Sequence, residues 1–239
     1  MSLGRGVDER LGEICARYGL TDAQGGQLRC LLEVMASDPY APTRVTAALE
    51  AVDVHVADSL AALELPVVRA ATTIADIGSG PGFPGLALAV GLPACEVALV
   101  ESSTRKSAFI ERARSAGGVG NARVVTARAE AWSDGLGQSD IVTARAVAPL
   151  PVLCEYAAPL LALGGALVAW RGGREPDQEK AATRAAAELG LEAGDRVRSE
   201  PYAGSLERHL HVYVKVMPTP PRYPRRPGIA SKRPLGGST

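Results

Sequence analysis

The sequence predicts an α/β fold, a mostly parallel sheet with crossover helices that carries an N-terminal helical extension. From Thr72 onward, short β-branched or apolar runs alternate with helical segments, which is the order of a parallel sheet whose strands need crossovers. Before Thr72 the apolar residues recur at three- and four-residue spacing instead, with no strand-like alternation. The 239 residues are 46% hydrophobic and 22% charged, enough for one good-sized core, and they exclude collagen-like, disordered and disulfide-stapled classes.

The elements follow in order. Val7, Leu11, Ile14, Cys15 and Tyr18 form one helical stripe, and Leu28, Leu31, Leu32 and Met35 a second, with Thr21-Asp22 as its N-cap. A third helix is expected from near Thr46 to Leu63, bringing together His55, Asp58 and Ser59 of the stretch HVADSL. Residues 1–70 thus read as a helical cap. Strands are expected at 73–77, 96–100, 122–126, 140–144 and 166–170, and helices at roughly 84–91, 104–116, 149–162 and 175–189. Runs at 195–201 and 209–216 have no strong helical pattern between them and read as an antiparallel pair closing the sheet edge, completing a domain over 71–217. On the second of these, His209, His211, Tyr213 and Lys215 share one face. With no third ligand near, the two histidines read as strand decoration, and no metal is expected. Residues 218–239 carry six prolines, so a basic tail is expected to be extended and ordered only where it docks.

Cys15, Cys30, Cys95 and Cys154 form no CxxC pair and no signal peptide precedes them, so a reduced, cytoplasmic setting is expected. The longest apolar stretch, 83–95, is broken by Gly and Pro and is too short for a bilayer, so no membrane partner is expected. The 26 Lys and Arg balance the 26 Asp and Glu, yet Glu207 is the last acid. Arg208, Lys215, Arg222, Arg225, Arg226, Lys232 and Arg233 follow it, which leaves the first 207 residues seven charges negative. A basic end of this kind is either a solvated tail or a nucleic-acid contact.

The chemistry concentrates in Asp76-Ile-Gly78-Ser-Gly80-Pro-Gly82-Phe83-Pro-Gly85, between an apolar strand and an apolar helix. Glycines there let the main chain pass close beneath a ligand, and Gly80, Gly82 and Gly85 also match the spacing of a dinucleotide turn. Glu101, ending the second strand, can take hydrogen bonds from two ribose hydroxyls. Asp76 beside the turn would repel a pyrophosphate and favour an ammonium, so S-adenosylmethionine fits better than NAD as cofactor. Arg128-Ala129-Glu130 ends the third strand, where Glu130 can take an exocyclic amine and Ala129 leaves room for a ring.

The fourth strand ends in Thr143-Ala-Arg145-Ala-Val-Ala-Pro149, with neither the Asn/Asp-Pro-Pro-aromatic turn of amino methylases nor a cysteine nucleophile. Cys154 reads as a core residue. Arg145 at that lip suits an acceptor that gives up no proton, such as guanine N7, with alignment taking the place of a general base. The alternative for Arg145 is a structural ion pair with one of the surplus acids. Trp170, Arg171 and Arg174 lie on the same rim, Trp170 either stacking on a base or closing the core.

Together these motifs resemble the bacterial 16S ribosomal RNA (guanine-N7) methyltransferases, the glucose-inhibited division protein B family. The likeness runs through HVADSL at 55–60, DIGSGPGFPG at 76–85, VALVESSTRKSAFI at 97–110, TARAE at 126–130, DIVTARAVAPL at 140–150 and YPRRPGIASKRPL at 223–235. It implies a class I S-adenosylmethionine-dependent methyltransferase fold, Rossmann-like, with a seven-stranded sheet. It implies a donor site at Gly78, Phe83, Ala129, Glu130 and Arg145, with Glu101 at the ribose and Asp76, Gly80 and Gly82 in the turn beneath. It also implies a guanine of the 16S rRNA decoding region as acceptor, presented by a small ribosomal subunit or an assembly intermediate. Arg171, Arg174, Arg222, Arg225, Arg226, Lys232 and Arg233 are then the expected RNA contacts, and a monomer is expected. The chain departs from the family at Arg44-Val45-Thr46, at Arg171, where lysine is usual, and at Ala230, where proline is usual. A small-molecule methylase with an incidental tail and a catalytically silent RNA-binding factor are the competing readings.

Overall fold

The computed structural model describes residues 3–45, 47–205 and 207–237. Two helices open the chain, α1 (Arg5–Tyr18) and α2 (Asp22–Ser37). Thr21 caps α2 by accepting from the Gln24 N–H while the Gln24 side chain accepts from the Thr21 N–H, so two N-terminal donors are satisfied reciprocally. The expected third helix is an irregular run: α3 (Ala48–Ala51), a π-helical segment (Val52–Ala57), α4 (Asp58–Leu60), a 3-10 turn (Ala61–Glu64) and α5 (Pro66–Arg69). Thr46, where that helix was expected to begin, lies outside the described residues. The wide π turn rotates the residues after it relative to an unbroken helix, and such insertions concentrate at functional sites.

The sheet holds β1 (Thr73–Ile77), β2 (Glu96–Glu101), β3 (Ala122–Thr126), β4 (Ser139–Arg145), β5 (Leu161–Arg171), β6 (Leu191–Ser199) and β7 (Arg208–Lys215) in the order β3-β2-β1-β4-β5-β7-β6. The first five pair in parallel, whereas β7 runs antiparallel between β5 and β6. The crossovers are α6 (Gly85–Gly91), α7 (Thr104–Ala116), α8 (Leu150–Ala157) and α9 (Pro176–Leu189). The helix expected to reach 162 stops at Ala157, because Gly164 and Gly165 let the apolar run continue as the long strand β5. The sixth strand begins four residues before its expected start at 195.

Side chains alternate across the strands and feed two cores. Ile74, Val97, Leu99, Ile141 and Trp170 pack with α6, α7 and the N-terminal helices in one continuous cluster, so the cap shares its core with a sheet face. Ala75, Val100, Val142, Leu167 and Tyr213 pack with α8 and α9 on the other face. Tyr223 and Ala230 belong to this second cluster. The tail is therefore docked, and it even forms a short helix, α10 (Ile229–Lys232). No helix among the described residues is long and apolar enough to cross a membrane.

At the start of α6, a Cβ on Gly85 would lie 2.3 Å from Leu99 Cδ2 and 2.8 Å from Asp76 Cβ. Gly85→Ala is therefore expected to lower stability by about 1–3 kcal/mol through overpacking, read from urea unfolding followed by tryptophan fluorescence.

Candidate active site

The site is built where β1 stops. After Ile77 the chain turns through Gly78, Gly80 and Gly82, all at positive φ. A Cβ on Gly78 would stand 2.7 Å from Val147 Cγ2 across an open slot, so this glycine is what keeps the slot open. Gly82 is needed for another reason: its Cβ would meet the Leu86 side chain. The N–H groups of the turn are spent internally. Gly78 and Ser79 donate to the Val100 carbonyl at 2.7 and 3.2 Å, and Gly82 donates to the Ser79 carbonyl at 2.7 Å. Gly80 donates to Glu101 Oε2 and Gly85 to Asp76 Oδ2, both at 3.1 Å. Open N–H groups are what a bound phosphate requires, and this turn has given five of its own to protein acceptors.

Two cavities meet over Gly78. One, about 220 Å³, lies on the α8 side and is lined by Ser102, Ala129, Glu130, Val147, Tyr156 and Ser231. The other, about 400 Å³, lies toward the cap and is lined by His55, Asp58, Gly80, Phe83, Arg145 and Arg208. A third, about 250 Å³, adds Trp170, Arg171 and Glu175 and shares Asp58, Arg145, Ala146 and Arg208 with the second. Gly78 thus borders both cavities, with Ala129 and Glu130 on the first and Gly80, Phe83 and Arg145 on the second.

Asp76 is not among the lining residues. It shares strand parity with Ile74, so its side chain faces α6, fully buried, and accepts from Thr143 Oγ1 at 2.8 Å and from the Gly85 N–H. The direct ammonium contact expected from sequence is replaced by a tie between β1, β4 and α6. Gly82 and Glu101 also lie outside the residues that line these cavities. Glu101 is buried at 5% exposure and accepts from Gly80 and, at 2.8 Å, from the Ser103 N–H, so it braces the turn while keeping further lone pairs. Glu130 Oε1 accepts from Arg128 Nε and from the Gly228 N–H, each at 3.1 Å.

Arg145 is tied to the cap. Its Nη1 donates to Asp58 Oδ2 and to the Val54 carbonyl, both at 2.8 Å. Trp170 is buried, packs in the first core and donates from Nε1 to the Asp58 carbonyl at 2.8 Å, so it closes the core and shows only an edge to the third cavity. Arg208 Nε stands 3.6 Å from Asp58 Oδ1, and neither atom has a hydrogen-bond partner. Ala146, just after Arg145, sits at φ +57, a conformation that disfavours any side chain and occurs preferentially where a site holds strain. Asp58, Arg208, Tyr156 and Ser231 were missing from the residues expected to form the site. Arg208 left a readable signal, since the first residue of an antiparallel strand beside β5 must arrive at the edge where the parallel strands end, and Asp58 and Ser231 stood in the family-like stretches HVADSL and YPRRPGIASKRPL without a role assigned to them.

The expected RNA-facing cations divide. Arg171 pairs with Glu175 at 2.9 Å, Arg174 with Glu179 at 3.3 Å and Arg222 with Glu188 at 3.1 Å, all involving exposed groups. Arg225 points inward onto Glu155, a carboxylate only 2% exposed, gripping it with Nε and Nη2. Arg226, Lys232 and Arg233 are exposed and form no ion pair among the described residues.

Comparison with known proteins agrees with this geometry. The family model for rRNA small subunit methyltransferase G matches residues 36–200. The ribosomal RNA small subunit methyltransferase G of Rubrobacter xylanophilus is 41% identical over 189 residues, covering 77% of this chain and 72% of its own length. That of Roseiflexus castenholzii is 38% identical and covers 98% of this chain and 96% of its own length. Among solved structures, the cofactor-bound Rv0187 from MTB superimposes with a TM-score of 0.55 at 17% identity, covering 80% of this chain and 89% of its own, a likeness of fold.

Two buried groups beside the turn titrate in opposite senses. Burial pushes the Asp76 carboxyl up to about 6, against the hydrogen bonds from Thr143, Ser79 and Gly85. The folded protein holds this proton where the unfolded chain has lost it, so from about pH 4 to 6 the contribution of Asp76 to stability falls as pH rises. Burial, then the nearby Arg145, pushes His55 down to about 4, and its contribution falls as pH drops from about 6.5 toward 4. The two slopes oppose each other in the intact protein. Relative to wild type, Asp76→Asn is expected to steepen the loss of stability on acidification and His55→Gln to reverse it, each by about 2 kcal/mol, measured as urea midpoints between pH 4.5 and 7. Unchanged slopes in both variants would contradict these assignments.

Proposed function

The chain belongs to the rRNA small subunit methyltransferase G family, and from that membership we propose that it transfers a methyl group from S-adenosylmethionine to N7 of a guanine in the RNA of the small ribosomal subunit. The residues fit a donor of this kind. The slot above Gly78 exists only because no Cβ fills it, and the turn below has no free N–H nest for a diphosphate. Ile77, Val100, Ala127 and Ala129 give the first cavity an apolar wall for an adenine ring, with Glu130 at its edge. Glu101 has lone pairs left for ribose hydroxyls. When bound, S-adenosylmethionine supplies a methyl group that its sulfonium makes electrophilic.

Arg145 carries the reading. It stands where the second and third cavities join, and Asp58 and Val54 fix it through Nη1 alone. Its Nε and Nη2 make no hydrogen bond among the described residues, so a fixed guanidinium presents free donors toward an incoming base edge or phosphate. Neither titratable neighbour beside the turn is a free base for substrate: His55 is pushed down to about 4, and Asp76 is fully buried with its carboxylate bound by Thr143 and the Gly85 N–H. Guanine N7 needs none, since its lone pair attacks directly, and catalysis then rests on alignment and on preset hydrogen bonds. The substrate is further proposed to be the 16S rRNA within a subunit or an assembly intermediate, met by a cytoplasmic monomer, with Arg226, Lys232 and Arg233 as its outer contacts.

Incubation with radiolabelled donor and small ribosomal subunits from a strain lacking this methylation is expected to place the label on N7 of a guanine. Label at an amino group or at C5 would reject the proposal. Arg145→Ala is expected to lose at least about 100-fold in turnover and to unfold at a lower temperature, because Asp58 is left without its partner, whereas Arg145→Lys keeps a charge beside Asp58 and should lose turnover with a smaller fall in unfolding temperature.

A further inference from the structure

The C-terminal segment does more than dock. Hydrogen bonds and ion pairs along its length hold it against the second core. Tyr223 is buried and donates from its hydroxyl to Glu188 on α9, and Arg225 grips Glu155 on α8 from two sides. The Gly228 N–H donates to Glu130 Oε1 at 3.1 Å, the Ser231 and Tyr156 hydroxyls share a hydrogen bond at 3.0 Å, and Arg184 donates to the Gly236 carbonyl. Gly236 lies so close to α9 that a Cβ would collide with the Ala181 carbonyl.

Two of these contacts fall on the first cavity. Ser231 and Tyr156 line it directly, and Gly228 reaches Glu130, the residue expected to face the exocyclic amine of adenine. A carboxylate that already accepts from Arg128 and Gly228 has less capacity left for that amine. The paired hydroxyls of Tyr156 and Ser231 sit across the same space, and a hydroxyl both donates and accepts, as an adenine edge requires. The ordering of the tail follows from charge. Glu155 is almost fully buried, and a buried carboxylate left without its partner costs several kcal/mol, so the segment cannot lift away without exposing Arg225 and stranding Glu155.

We propose that residues 218–237 form a wall of the methyl-donor pocket, with Ser231 a donor-contacting residue at its adenine end, held in place by the buried Arg225–Glu155 pair. This rests on the reading that the adenosine part of the donor occupies the first cavity.

The test is calorimetric titration of the full chain with S-adenosylhomocysteine and with 5′-methylthioadenosine, which keeps adenine, ribose and sulfur but lacks the amino-acid part. Ser231 is exposed at the cavity rim, so Ser231→Phe is expected to fold with an unchanged thermal midpoint and to fill the slot. Both compounds should bind it at least about tenfold more weakly than wild type. Arg225→Ala is expected to weaken both by a similar factor if it folds, and Arg225→Lys to recover part of the loss. Wild-type affinity in Ser231→Phe overturns the proposal whatever Arg225→Ala does. Failure of the wild-type protein to bind S-adenosylhomocysteine overturns the donor reading itself, and the wall falls with it.

Discussion

One carboxylate joins the two halves of the molecule. Asp58, on the irregular helical run of the cap, meets Arg145 from β4 and faces Arg208 from β7, while its own carbonyl accepts from Trp170 at the end of β5. Three strand ends are thereby anchored to a single helical residue. A buried charge of this kind is stable only while its partners stay in place, so the cap cannot shift without disturbing the arginine that ends β4. The π-helical segment immediately before Asp58 is part of the same device, since it sets the rotation at which the Val54 carbonyl and the Asp58 carboxylate reach one guanidinium nitrogen.

The turn after β1 shows a second economy. Its glycines create room, as glycine-rich turns generally do, but the amides they bare are consumed by the Val100 carbonyl, by Glu101 and by Asp76. The same backbone shape that elsewhere cradles phosphate is here electrically closed. Which acceptors the neighbouring strands supply thus decides how many amides the turn leaves open. The charge of Asp76 acts beneath the turn, as part of its support.

Much of this was legible beforehand. The strands at 73–77 and 122–126 and the helix at 104–116 stand where the hydrophobic period put them, because each is bounded by residues that stop it. The run LLALGGALVAW was harder, since an unbroken apolar stretch carries no period to separate helix from strand, and the end of α8 was misplaced as a result. In β6 the stretch EAGD has loop chemistry; Glu192 and Ala193 pair with β7 while Gly194 and Asp195 fall in a register shift, which an edge strand tolerates. The lining residues Gly78, Phe83, Ala129, Glu130 and Arg145 were found because motif and position coincide. Asp76 was misread because its strand parity aims it at α6. Arg225 was misread because the acid that claims it lies 70 residues earlier, a relation that no local pattern records.

The order of the sheet bears on how the protein comes into being. β7 is the last strand made, yet it lies between β5 and β6, which have been synthesised before it. Until it inserts, two strand edges stand open, with no backbone partner for β6 and none on the far side of β5. Arg208 comes with it, and the segment that walls the first cavity comes later still. The pocket is therefore incomplete until residues 208–237 have been made, since both the strand that closes the sheet and Ser231 on the wall of the first cavity lie within them.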